Sequence, residues 1–216
     1  MEVINETGGI KIGWIRASWP LAKLTVTKDK LELNGGLIGN LVFRPSDVIS
    51  IEAGGFFAFT GRGLKIIHNV ANYYSTAIFI TSRPNALIAQ IKEIGFLENK
   101  GPLSFDLENE ISMYQSTGSF PMKIPMAIAM VVIWNVLFLL DQTKLFHANR
   151  SFGIPGAGAQ IALAFVFLTF LSLLISQRAR EIILRPGRKV SDISTTTYFF
   201  MLITGIMFLG FSLIPK

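Results

Sequence analysis

The sequence predicts an α+β membrane protein: an N-terminal β-barrel or sandwich of about seven strands with one C-terminal capping helix, followed by a three-helix transmembrane region. Three observations carry this. The second half holds uncharged apolar stretches of 17, 19 and 23 residues, at 124–140, 157–175 and 193–215. A spanning helix needs roughly 20 such residues, because about 30 Å of hydrocarbon divides by about 1.5 Å of rise per residue. The first half has no such stretch and breaks into short alternating segments between turn residues. One helical period then follows near residue 87. The organisation expected is a flexible N-terminus over 1–9, a folded domain over 10–97, a linker over 98–122 and a membrane region over 123–216, with helices at 124–141, 157–176 and 194–214.

The strands are justified in turn. Over 10–15 a first apolar segment opens the domain. In 22–27, Leu24 and Val26 alternate with Lys23, Thr25 and Thr27; Leu31 and Leu33 resume the period after Lys28-Asp29-Lys30, as a hairpin requires. Asn34-Gly35-Gly36 is a turn. Strands at 41–43 and 48–51 are split by Arg44-Pro45-Ser46-Asp47, where proline cannot donate to a ladder. Gly54-Gly55 and Gly61-Arg62-Gly63 bracket Phe56-Phe57-Ala58-Phe59, and strands at 64–68 and 76–81 complete the set. The period then changes. Leu87, Ile88, Ile91 and Ile94 share one helix face, Pro84 sits in its first turn, and Gly95 supplies a left-handed stop with Phe96 folding back onto Ile91.

Trp19-Pro20-Leu21, Leu24-Thr25-Val26-Thr27, Lys30-Leu31-Glu32-Leu33, Phe43-Arg44-Pro45, Val48-Ile49-Ser50-Ile51, Ile66-Ile67-His68-Asn69 and Gly95-Phe96 resemble the bacterial PH-like (GRAM-like) domain families over about residues 12–97. The resemblance implies a binding or scaffolding module rather than an enzyme, and a bacterial inner membrane. Inositol-lipid-binding members carry a basic cluster near the first hairpin. Here Lys28-Asp29-Lys30 has an acid between its lysines, which departs from that pattern and reads as a solvated hairpin tip.

Between the halves, Leu103, Phe105, Leu107, Ile111, Met113 and Tyr114 can pack against the domain, while Ser116–Pro121 reads as a joint. The interiors of the spans contain no ionisable group, Asp141 sitting at the end of the first where it can reach water; Asn135, Thr169, Ser172 and Thr204 can bond across helices or to the backbone, and Gly158-x-x-x-Ala162 permits close helix contact. This favours an anchor over a transport pathway.

Charge is uneven. Eleven cations balance eleven acids over 1–120, whereas nine stand against three over 121–216, so the net charge of +6 belongs to the membrane half. A nucleic-acid binder would place its excess on the folded domain, so no nucleic-acid partner is expected. The loop after the second helix carries Arg178, Arg180, Arg185, Arg188 and Lys189, against Lys144 and Arg150 in the loop before it. Positive charge stays in the cytoplasm, which places the N-terminal domain there and the C-terminus outside. The acidic, polar start is not read as a signal peptide. The same five cations, interleaved with Ile182, Ile183 and Leu184, are candidate contacts for anionic lipid head groups.

Catalytic patterns are absent from the sequence. There is no cysteine, which excludes disulfides, thiol catalysis and Cys-ligated metal. His68 lies in an apolar strand. His147 lacks a second ligand at metal spacing, and the glycines at 153–158 follow no strand. Asn149-Arg150-Ser151 is a glycosylation sequon of meaning only in a eukaryotic secretory pathway. No cofactor and no metal site are expected, and the chain is read as a non-enzyme. Its expected function is a membrane-anchored binding or regulatory scaffold on the cytoplasmic face, with membrane lipid and an unidentified protein as partners. The alternative is a small membrane enzyme or an accessory subunit of a transporter using the three helices.

Overall fold

The structure is a computed structural model and describes residues 2–55, 62–141 and 156–213. The chain divides into two compact units: Met1–Pro121 with Pro186–Thr195, and Met122–Arg185 with Thr196–Lys216. The Phe56-Phe57-Ala58-Phe59 segment, the loop bearing Lys144, His147 and Arg150, the first half of the glycine-rich turn (153–155) and the C-terminal Pro215-Lys216 lie outside the described residues.

The first unit is built on seven antiparallel strands: β1 Ile4–Ile12, β2 Ile15–Val26, β3 Leu31–Asn34, β4 Asn40–Phe43, β5 Val48–Gly55, β6 Arg62–His68 and β7 Thr76–Ile80. They form one sheet in the order β4-β3-β2-β1-β7-β6-β5. Leu24 stands opposite Leu33, and Val26 opposite Leu31, so the alternation of both strands faces one way. The Thr27 hydroxyl closes this hairpin by accepting from the Lys30 N–H at 3.0 Å. The same face gathers Ile10, Leu33, Phe43, Leu64, Ile66 and Phe79, all at 0 % exposure. Each such side chain contributes roughly 1.5–3 kcal/mol by leaving water.

Helix α1, Pro84–Glu93, follows β7 and adds Leu87 and Ile91 to this core; the backbone then turns at Gly95 and returns Phe96 to it. These are the residues that the helical period singled out. The apolar segment expected as one strand over 10–15 is broken at Gly13-Trp14, where β1 gives way to β2, so the strand expected over 22–27 already begins at Ile15. Two further segments differ from the sequence expectation. The strand begins at Ile4, where a flexible tail over 1–9 was expected. The stretch read as a linker over 98–122 contains helix α2, Phe105–Thr117, capped by the Ser104 hydroxyl, which accepts from the Leu107 N–H. Its Ile111 and Tyr114 form a second apolar cluster with Val42, Leu103 and Leu107. The joint after it is tied to the sheet, since the Asn40 N–H donates to the Ser119 carbonyl at 2.9 Å.

The second unit contains α3 Ile124–Asp141, α4 Ala157–Ile175, α5 Gln177–Ile183 and most of α6 Val190–Leu213. Helices α4 and α6, of 19 and 24 residues, are long and apolar enough to cross a membrane. The apolar stretch Ile124–Leu140 of α3 is shorter. Only 33 % of the apolar window of α4 and 17 % of that of α6 is buried, so most of this surface has no protein cover among the described residues. Polar side chains inside the helices turn back on their own backbone: Asn135 donates to the Val131 carbonyl, Thr169 to Phe165 and Thr204 to Phe200, each at 2.7 Å. That satisfies hydroxyl and amide groups without water. Gly158 and Ala162 are both buried in α4.

Candidate binding surface on the outer face of the sheet

The face of the sheet opposite the core is organised by register. Cross-strand partners share a face. Lys11 of β1 is paired with Arg16 of β2 and with Ile78 of β7; Ile78 is paired with Lys65 of β6, and Lys65 with Glu52 of β5. One row across five strands therefore reads Glu52, Lys65, Ile78, Lys11, Arg16. Ile78 is only 6 % exposed although it lies on the outer face.

The row ends at the β1–β2 hairpin. Gly13 and Trp14 form its two-residue turn, and Gly13 takes a φ of 56°, which a side chain rarely adopts. The Tyr74 ring leans on this turn; a Cβ at residue 13 would lie 3.0 Å from it. Trp14 itself is 97 % exposed, and Ile15 and Tyr74 also project into solvent. An indole that buries almost none of its area contributes nothing to the core. Farther along β2, the register slips between Gly8 and Ile10 of β1, so that Ser18, Trp19, Pro20 and Leu21 fall in a bulge between the pairs Gly8–Ala22 and Ile10–Ala17. The Trp19 ring is exposed and borders a cleft of about 600 Å³, with Glu6, Arg62 and Ser82 among its other walls.

The five cations expected at lipid behave differently from one another. Arg178 is exposed on α5. Arg180 donates to the carbonyls of Leu173 and Leu174 at 3.2 and 3.1 Å, and Arg185 donates to the Met122 carbonyl at 3.2 Å. Arg188 is buried in the first unit: its guanidinium lies 4.4 Å over the Tyr114 ring and donates to the Gly118 carbonyl. Tyr114 donates to Asp192 at 2.8 Å, and burial together with that carboxylate pushes the phenol well above its usual range. Lys189 pairs with Glu110 at 3.2 Å, and Lys30 joins the same carboxylate at 3.4 Å. Burial of Glu110 works against ionisation, but the Lys30 and Lys189 charges outweigh it and hold the carboxyl below its ordinary value. The register-built row was missed by sequence reasoning, because Lys11, Arg16 and Lys65 are far apart in the chain. Trp14 within Ile-Gly-Trp-Ile was its only local signal.

Lys28 and Lys30 flank the β2–β3 turn as expected, but Lys30 is drawn into the pairs with Glu32 and Glu110. His68 lies in an aromatic group, 4.9 Å from Phe43 and 5.9 Å from Tyr73, and its Nδ1 accepts from the Val70 N–H. Burial pushes its pKa down, and pushes that of Tyr73 up to about 12. Among the described residues, no group of three or more His, Cys, Asp or Glu is placed to hold a metal ion. No protein-family model matches the chain, and comparison with curated proteins and with solved structures finds no match.

Proposed function

We propose that the chain is a membrane-anchored binding or scaffold module of the PH-like kind, held on the cytoplasmic face of a bacterial inner membrane by three spans. Its hairpin surface is a second, reversible contact with anionic lipid. The observation that carries this reading is one chain holding both kinds of feature: two apolar helices long enough to span, and an exposed aromatic tip beside a basic row. Seven antiparallel strands followed by a helix that shares their core support the PH-like assignment. α3 is the third span, its apolar stretch of 17 residues sufficing with little tilt. The excess of cations in the loop after α4 supports the orientation.

Indole rings favour the head-group level, and each Lys or Arg near an anionic leaflet contributes about 1 kcal/mol. Tethering adds to this by raising the effective concentration of the hairpin at the bilayer to roughly millimolar. Arg178 and Lys189, whose side chains are exposed, keep a lipid-contact role in this scheme; Arg180, Arg185 and Arg188 act chiefly through their protein partners.

The native chain has no cysteine, so Trp14→Cys gives a single labelling site for an environment-sensitive dye. The full chain is reconstituted in nanodiscs of neutral or anionic lipid. The expected result is a blue shift of emission in anionic lipid only, lost when Lys11, Arg16 and Lys65 are all changed to Gln. Equal emission in the two lipids would refute the hairpin contact.

A further inference from the structure

The free edge of β1 is a second surface. β1 pairs with β2 along its length, but with β7 only over residues 9–12. Among the described residues, 4–8 have no ladder partner on their other side. In an antiparallel strand the N–H and C=O of every second residue point outward from such an edge. Two clefts run along it and meet at Glu6: the one beside Trp19, and another of about 280 Å³ between residues 2–6 and the side chains of Arg83, just before α1, and of Gln90 and Glu93 within it. The second is acidic, with Glu2, Glu6 and Glu93 against Arg83. Glu6 and Arg83 form a two-point pair, Nε to Oε1 at 3.0 Å and Nη2 to Oε2. The carboxylate is sheltered, at 14 % side-chain exposure, whereas the guanidinium is 58 % exposed. The acid is therefore a built part of the groove, and the cation on it is the replaceable member.

We propose that this edge takes a basic, extended segment of a partner protein as an added strand, with a Lys or Arg of that segment displacing Arg83 from Glu6. This deepens the binding-module reading and rests on it, on a surface distinct from the hairpin. Main-chain hydrogen bonds along the edge supply affinity, and the carboxylates select the sign of the incoming side chains. A second copy of the chain fits poorly. Antiparallel pairing of β1 with itself about Ile4 sets Glu2 against Glu6 twice, and like charges directly opposite are destabilising.

The test pans the full chain, in neutral-lipid nanodiscs, against a random-peptide display library. Enriched peptides should carry Lys or Arg at alternating positions among β-branched residues. Their affinity should fall about tenfold in Glu6→Gln, the worth of one hydrogen bond to a charge. It should rise in Arg83→Ala, which removes the competing cation. Bound peptide should slow amide exchange across residues 3–8. Enrichment of no basic sequence, or affinity unchanged in Glu6→Gln, overturns the proposal. A dye response at residue 14 that persists in Glu6→Gln separates failure of this edge from failure of the membrane-module reading.

Discussion

Two basic regions of this chain are built in opposite ways. Arg178, Arg180, Arg185, Arg188 and Lys189 are close in sequence, yet the structure disperses them. Two donate to backbone carbonyls within the second unit, one lies buried over an aromatic ring in the first, and one is paired with Glu110. Lys11, Arg16 and Lys65 are scattered over more than fifty positions, and strand register lines them up on one outer face. Charge density along a sequence is therefore a poor guide to charge density on a surface. A cation beside a helix end or a ring is spent on that neighbour, whereas cations at outward strand positions are gathered on one face by register.

The largest expected effect separates the two regions by stability. Arg188→Ala removes a buried guanidinium from Tyr114 and Gly118 and should cost roughly 2 kcal/mol or more. Lys11→Ala, on the outer row, should stay within about 0.5 kcal/mol. Thermal unfolding of the full chain in detergent measures both. Equal losses would mean that the row is structural as well.

Lipid binding should reverse that ranking. If each cation of the row contributes about 1 kcal/mol, the triple change to Gln should weaken association of the hairpin with anionic lipid by about a hundredfold at low salt. The double change Arg178→Gln with Lys189→Gln should weaken it far less. Both effects should shrink as salt rises, because the screening length falls to about 8 Å near physiological strength. Dye emission titrated against anionic lipid content reads them on one scale.

A smaller effect tests whether His68 is the core residue its strand implies. Burial lowers its pKa below the ordinary 6.5, against the opposing pull of the Tyr74 backbone and Asp47. The unfolded chain then takes up a proton first as pH falls. This contribution is whole above about pH 6.5 and is lost as pH drops toward the lower folded value. His68→Gln should flatten that part of the stability profile, and an unchanged profile would place the acid sensitivity elsewhere.

The smallest effect concerns Lys189 and Glu110. The lowered carboxyl pKa gives stability that is present above its ordinary 4.5 and lost as pH falls below it. Lys189→Gln should raise the Glu110 pKa, which carboxyl chemical shifts follow directly. With Lys30 still at hand, the rise should be partial.

Much of the sheet was legible because its inward positions are apolar and regularly spaced. Leu24, Val26, Leu31 and Leu33 marked a hairpin, and the structure pairs Val26 with Leu31 and Leu24 with Leu33. The start of β1 was hidden: Glu6 stands opposite Leu24 on the inward side, so a charge falls where the period calls for an apolar residue. That same acid lines the β1 edge groove. Helix α2 was obscured by Asp106, Glu108 and Glu110 among its apolar positions. The spacing of Leu107, Ile111 and Tyr114, with Ser104 as cap, was the signal that could have revealed it. The outer row could not be read, because a one-residue change of register would send each of its members to the other face.

The comparison of the two basic regions is tested most directly by amide hydrogen exchange on the full chain, first in neutral and then in anionic nanodiscs. The account predicts that the change of lipid adds protection to residues 10–17, at the hairpin, and leaves residues 184–188 unchanged. Added protection confined to residues 177–189, with none at the hairpin, would contradict it.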